Sequence, residues 1–348
     1  MNFNMINALI TRKSNQYKLA KNLVITAPNG IVEERFVKIG GIDQWITIRG
    51  EDRQNPVLFF VHGGPGSSYS IFTPLLRSWE RYFTIVQWDQ RGAGKTFRKN
   101  GKAGSGTLTF ERLTRDGIEL AEFLREHLGQ EKIILVGSST GSITGTTMVR
   151  RRSDLFSAYV GTDQSTGPDA LELSYQLTLD WLRAAGNTKS VKAVEKLGAR
   201  RAHPTPKELT QLHQWTIKAN PTIPDMIMDI MLPAMLTSPD HTIGDLMDSM
   251  KGMNFSNDQL FQELLTIDLR QLGMRFEVPF FIFQGDTDAI NPTALAKEYF
   301  DELEAPHKEF VLIKQAGHLA AFARPEQFLN ELLQRVRLLA IGQSTSAK

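Results

Sequence analysis

Apolar positions along the chain follow two regimes. Over residues 57–160, short and strongly apolar runs at 57–61, 83–88, 133–136 and 156–160 alternate with longer stretches near 71–82, 110–128 and 142–152. In those stretches apolar residues recur at helical spacing. Strand-sized apolar runs alternating with helices predict βαβ units and a parallel sheet buried on both faces. Upstream, two β-like runs at 34–39 and 44–49 flank Gly40-Gly41, which predicts an antiparallel hairpin. Between Asp163 and Val278 the alternation stops. That stretch reads as helices broken by Pro204, Pro206, Pro221, Pro224, Pro233 and Pro239. The β/α pattern then resumes with strands at 280–284 and 309–313 and helices at 293–303 and 325–339.

The expected organisation is therefore one α/β domain interrupted by a helical insertion placed before the last two strands. In residue numbers it is an N-terminal arm at 1–33, a core at 34–162 and 279–341, a cap at 163–278 and a flexible tail at 342–348.

Composition narrows the function classes. The 348 residues are 41% hydrophobic and 22% charged, an ordinary composition for a chain with a sizeable core. The net charge is +2 with basic residues dispersed, so no nucleic-acid partner is expected. With no cysteine there can be no disulfide, thiolate metal site or cysteine nucleophile, and no cofactor or metal is expected. The first 22 residues contain no continuous apolar run of signal-peptide type. Runs such as 57–61 and 279–283 are far too short to cross a bilayer. A cytoplasmic protein acting on a small molecule or short peptide, without a membrane partner, is the expectation.

The candidate chemistry sits where predicted strands end. The strand at 133–136 runs into Gly137-Ser138-Ser139-Thr140-Gly141 and then into a helix, which is G-x-S-x-G in the context it requires. Side chains at the two glycines would collide with neighbouring elements in so tight a turn. Ser139 would project at a helix N-terminus, where the dipole favours developing negative charge. The strand at 57–61 runs into His62-Gly63-Gly64-Pro65-Gly66, a turn able to aim one backbone N–H at an oxyanion. Gly64 is the better candidate donor and Gly63 the second, with the N–H of Thr140 supplying the other bond. After the strand at 280–284 come Asp286 and Asp288, and after the last strand comes His318. The chain order serine, acid, histidine matches what a nucleophile, an orienting carboxylate and a general base need in this topology. Both aspartates are open as the acid; Asp288 suits the turn better. The remaining histidines precede the nucleophile, sit at element ends or fall in the insertion, as do His203, His213 and His241.

Gly92-Ala93-Gly94-Lys95-Thr96 looks like the end of a phosphate-binding loop. The full pattern would need glycine at 89, where Asp89 stands, and no helix clearly follows in the sequence.

That stretch, Gln87-Trp88-Asp89-Gln90-Arg91-Gly92-Ala93-Gly94-Lys95-Thr96, joins HGGPG at 62–66, the Ser139 turn and Ala316-Gly317-His318 in one combination. Together they resemble the proline iminopeptidase family of α/β-hydrolases over roughly residues 34–162 and 279–339. The resemblance implies an α/β-hydrolase fold, a mostly parallel sheet flanked by helices with a helical cap. It also implies Ser139, Asp288 and His318 as catalytic triad, Gly64 and Thr140 at the oxyanion hole, and fold-supporting roles for Asp89 and Arg91. The implied activity is hydrolysis of an amide or ester bond through an acyl-enzyme, by an aminopeptidase or esterase.

Two departures stand out. Members usually carry tryptophan after the nucleophile, where this chain has Thr140. Iminopeptidases bind the substrate amine with acidic cap residues, commonly in a W-x-x-W-E pattern, and Trp181 and Trp215 stand without it. Glu172, Asp180, Asp225 and Asp229 could receive an amine, but most read as solvated helix faces and none is assigned to the site. Met226, Met228, Met231, Met235, Met247, Met250 and Met253 suit either an apolar pocket or, more often at such spacing, helix core. A carboxylesterase or amidase for small apolar substrates, and a non-catalytic ligand-binding relative, are the competing readings. An epoxide hydrolase or dehalogenase would need aspartate where Ser139 stands.

Overall fold

A computed structural model describes residues 5–198 and 204–344. Of the expected tail, residues 345–348 lie outside the described residues, as does His203. The strands are β1 (Ile31–Ile39), β2 (Ile42–Gly50), β3 (Val57–Val61), β4 (Thr84–Asp89), β5 (Ile133–Ser138), β6 (Phe156–Thr162), β7 (Phe280–Gly285) and β8 (Lys308–Ile313). They form one sheet in the order β1-β2-β4-β3-β5-β6-β7-β8. β1 pairs antiparallel with β2, and β2 with β4; the remaining pairs are parallel. The hairpin closes through Gly40 and Gly41, whose φ angles of 56° and 81° suit the tight turn that glycine permits.

Alternation within the strands builds two cores. Val57, Phe59, Val61, Ile133, Leu135, Phe280 and Ile282 pack on one face. Leu58, Phe60, Ile134, Val136, Phe281 and Phe283 pack on the other. Helices cover both faces, which is why these strands read as unbroken apolar runs. The parallel strands all end at one edge of the sheet, and the candidate chemistry lies there.

Between β6 and β7 the described residues contain helices and no strand. The helices are Asp169–Ala184, Thr188–Gly198, Pro206–Ala219, Leu232–Thr237 and Ile243–Thr266, with a π-helical turn at Met226–Met231. Met226, Met231 and Met235 pack against one sheet core, whereas Met228, Met247 and Met250 are exposed. No described helix is long and apolar enough to cross a membrane.

Three expectations need correction. The stretch at 71–82 forms 3₁₀ turns, Tyr69–Leu76 and Trp79–Arg81, because Pro74 removes a donor and blocks a regular α-helix. The region at 325–339 is an α-helix, Pro325–Glu331, that passes through a π turn at Leu332–Val336. A helix, Gly94–Ser105, does follow the glycine-rich stretch after β4. The Asp89 carboxylate accepts the Lys95 N–H at 2.7 Å at its first turn, which satisfies one of the N–H groups left open at the helix start. The N-terminal segment holds two helices, Met5–Ile10 and Arg12–Asn22, and Gln16 donates to the Ser238 carbonyl at 2.7 Å.

Candidate active site

β5 ends at Ser138, and the helix Thr140–Arg151 starts immediately after Ser139. The backbone reverses within one residue, so Ser139 takes φ 54° and ψ −128°, a conformation that L residues rarely adopt. The flanking glycines are required by space. A Cβ on Gly137 would lie 2.9 Å from the Tyr159 hydroxyl, and one on Gly141 would lie 2.2 Å from the Val61 carbonyl oxygen. The helix start is thus pressed against the end of β3 and the loop that follows it.

Ser139 Oγ lies 3.0 Å from His318 Nε2, and His318 Nδ1 lies 2.9 Å from Asp288 Oδ2. The two residues come from the ends of β8 and β7. Asp288 is fixed on its other side, since its Oδ1 accepts the N–H groups of Ile290 at 2.9 Å and Asn291 at 3.0 Å. Gln284 donates to Oδ2 at 3.2 Å. Asp286 is not brought to the histidine. Its carboxylate accepts the Gln315 and Ala316 N–H groups at 3.1 and 3.2 Å, which holds the loop carrying His318.

Burial pulls the His318 pKa down. The charge and hydrogen bond of Asp288, with the charge of Asp163 behind them, outweigh it and hold the pKa at about 9. Because the Asp288 carboxylate can only accept, Nδ1 keeps its proton when the ring deprotonates, and Nε2 is the atom left free to face the serine.

The HGGPG loop touches this chain of contacts. A Cβ on Gly63 would fall 2.6 Å from Ser139 Cβ, and Gly64 holds φ 121°. His62 is structural. Its Nε2 accepts the Gln90 N–H at 3.2 Å, so its Nδ1 carries the proton toward the Gly63 carbonyl at 2.8 Å, and burial lowers its pKa to about 4. Thr140, at the first position of its helix, has an N–H with no partner inside that helix. Arg91 donates to Asp116 at 2.7 Å, to the Ser105 carbonyl at 2.9 Å and to the Gly40 carbonyl at 2.8 Å. Asp89 accepts Ser68 Oγ at 2.6 Å. Both residues brace loops.

Residues 56–212 match the family model described as alpha/beta hydrolase fold. Over 321 residues the chain is 28% identical to probable aminopeptidase YbaC of Bacillus subtilis, covering 90% of this chain and 99% of that protein. Over 111 residues it is 31% identical to a proline iminopeptidase of Thermoplasma volcanium, covering 31% of this chain and 35% of that one. Among solved structures, a proline iminopeptidase-related protein from Thermus thermophilus superposes with a TM-score of 0.56 at 19% identity, covering 89% of this chain and 99% of the other. The chain has the α/β-hydrolase fold. It resembles the proline iminopeptidase-like α/β-hydrolases, and its named relatives include aminopeptidases.

Two further residues of this chain lie at the site. Asp163, directly after β6, is fully buried with one oxygen within 4.8 Å of donor atoms on both His318 and Asp288. The signal was positional: a carboxylate directly after a parallel strand, next to the nucleophile strand. The sequence pattern ended that strand at 160, two residues early, so Asp163 read as the start of the insertion. His213, from the helix Pro206–Ala219, lies within electrostatic reach of His318 and Asp288, and burial lowers its pKa to about 4. No local pattern marks it, because only the folding of the insertion over the sheet brings it there. Asp163, Asp288 and His318 could each offer an atom to a metal, but Asp288 and His318 commit theirs to each other.

Proposed function

We propose that the protein is a serine hydrolase that cleaves an amide or ester bond through an acyl-enzyme. In this reading Ser139 Oγ attacks the substrate carbonyl while His318 Nε2 takes its proton. Asp288 holds the Nδ1–H tautomer and stabilises the imidazolium. The N–H groups of Gly64 and Thr140 receive the oxyanion. The imidazolium then protonates the leaving group, and water activated by the same histidine releases the acid and restores Ser139. The observation that carries the reading is the continuous Ser139–His318–Asp288 hydrogen-bonded chain, with the serine in a strained turn at a helix N-terminus.

The helical segment at 163–278 acts as a cap that bounds the substrate site. Its residues reach both catalytic loops: Ile223 lies against Gly317, and Met253 lies against Gly66 and Ser67. An aminopeptidase of proline iminopeptidase-like type agrees with the names of the relatives. These apolar cap residues also favour a second reading, a carboxylesterase or amidase for small apolar acyl groups.

Labelling with a fluorophosphonate tests the nucleophile: wild type should label and Ser139→Ala should not. Labelling that persists unchanged in Ser139→Ala removes Ser139 from the mechanism. A panel of proline and alanine p-nitroanilides against p-nitrophenyl esters separates the two readings. Turnover of esters alone would remove the aminopeptidase assignment.

A further inference from the structure

Asp163 forms no bond with Ser139 Oγ or the His318 ring, yet it sits among the residues around them. It is fully buried, and its backbone holds φ 51°, a left-handed conformation that few residue types tolerate. Its Oδ2 accepts the Ser138 hydroxyl at 2.9 Å, and its Oδ1 accepts the Ala320 N–H at 3.0 Å. Its carbonyl accepts the Asn291 side-chain amide. Ser138 precedes Ser139, Ala320 is two residues beyond His318, and the Asn291 N–H is one of the two that hold Asp288 Oδ1. One residue therefore bonds to each of the three segments that carry the hydrogen-bonded chain.

Holding loops together does not require a charge. An amide could accept the Ala320 N–H with its oxygen and donate its NH₂ to the Ser138 hydroxyl without the cost of burying an ionisable group. Burial raises the Asp163 pKa and the Asp288 charge adds to it, while the charge of His318 pulls the other way. The cation that a second carboxylate would balance is thus the imidazolium formed during turnover.

Resting on the serine-hydrolase reading above, we propose that Asp163 is a positioning residue for His318. It keeps the three segments in register, and its carboxylate shares with Asp288 the stabilisation of the imidazolium. The two aspartates sit at the ends of adjacent parallel strands, β6 and β7, and approach the ring together.

The test is a double-substitution cycle on the full chain, read as kcat and KM for p-nitrophenyl acetate. Asp163→Asn keeps the shape and tolerates the left-handed backbone. It should lower kcat about tenfold and leave KM within about twofold. In an Asp288→Ala background, where Asp163 is the remaining carboxylate, the same substitution should cost about a hundredfold. Wild-type kcat in Asp163→Asn, or the same fold-loss in both backgrounds, would overturn the proposal. If Asp163→Asn fails to fold by circular dichroism, Ser138→Ala decides, since it removes one of the two donors to the carboxylate. It should lower kcat a few-fold at constant KM, and an unchanged kcat overturns the proposal. Ser139→Ala separates the two levels. If it turns over like wild type, the serine-hydrolase reading fails. If it is inactive while Asp163→Asn is silent, only the positioning role fails.

Discussion

Asp288→Asn is the substitution whose consequence is most tightly set by geometry. Asp288 Oδ1 accepts two backbone N–H groups, from Ile290 and Asn291 at 2.9 and 3.0 Å. An asparagine must place its amide oxygen there, because the reverse orientation would strand two buried donors at about 1–3 kcal/mol each. Its NH₂ group then faces His318 Nδ1, which in wild type lies 2.9 Å from the carboxylate. Meeting a donor, Nδ1 must accept, so the proton moves to Nε2. That atom now points a hydrogen at Ser139 Oγ, 3.0 Å away, and can no longer take the serine's proton. Reversing a catalytic tautomer in this way lowers kcat roughly 10⁴-fold, about 5 kcal/mol of transition-state stabilisation. Steady-state turnover of a p-nitrophenyl ester, with a melting curve to confirm folding, measures it. Asp286→Asn is the comparison: its carboxylate meets the Gln315 and Ala316 N–H groups and not His318, so the substitution gives up one loop hydrogen bond and should lose less than about tenfold. A folded Asp288→Asn within tenfold of wild type would refute the reasoning.

Further outcomes follow from the same contacts. The His318 pKa is held near 9, so kcat/KM should rise with pH as the ring loses its proton, with an acid limb well above 6.5; a limb at or below 6.5 would contradict the Asp288 and Asp163 fields. Gly141→Ala forces a Cβ to 2.2 Å from the Val61 carbonyl oxygen and should destabilise the fold by about 3 kcal/mol, read as a lowered urea midpoint together with loss of labelling at Ser139. His241 is buried and its pKa is lowered to about 4, so it binds a proton when unfolded but not when folded. Its contribution is complete above pH 6.5 and falls as pH drops toward 4, by up to about 3 kcal/mol. His241→Gln should flatten that part of the stability–pH curve, and an unchanged slope would rule the contribution out.

Much of the sheet was legible in the sequence because strands buried on both faces must be apolar throughout and must end in turns. β3 and the helix at 110–128 fall where the pattern puts them, and the other central strands differ only at their ends. Elsewhere local chemistry overrides periodicity. Pro74 turns an apparent helix into 3₁₀ turns, and the aspartate at 89 supplies a helix N-terminus that the glycine-rich stretch did not advertise.

Taken by itself, the sequence determined the alternating α/β pattern, the glycines flanking Ser139 and the order in which serine, acid and histidine appear. These depend on short-range sterics and on side-chain types at strand ends, which a linear chain records. Only the tertiary structure put Asp288, and not Asp286, within hydrogen-bond distance of His318, since both follow β7 within three residues and differ in where their oxygens point. It alone brought Asp163 to His318, because that approach depends on β6 lying beside β7 despite the long helical insertion between them. It alone laid His213 and Ile223 of that insertion over the site. Contacts between segments so distant along the chain are fixed by strand pairing and packing, and no local pattern encodes them.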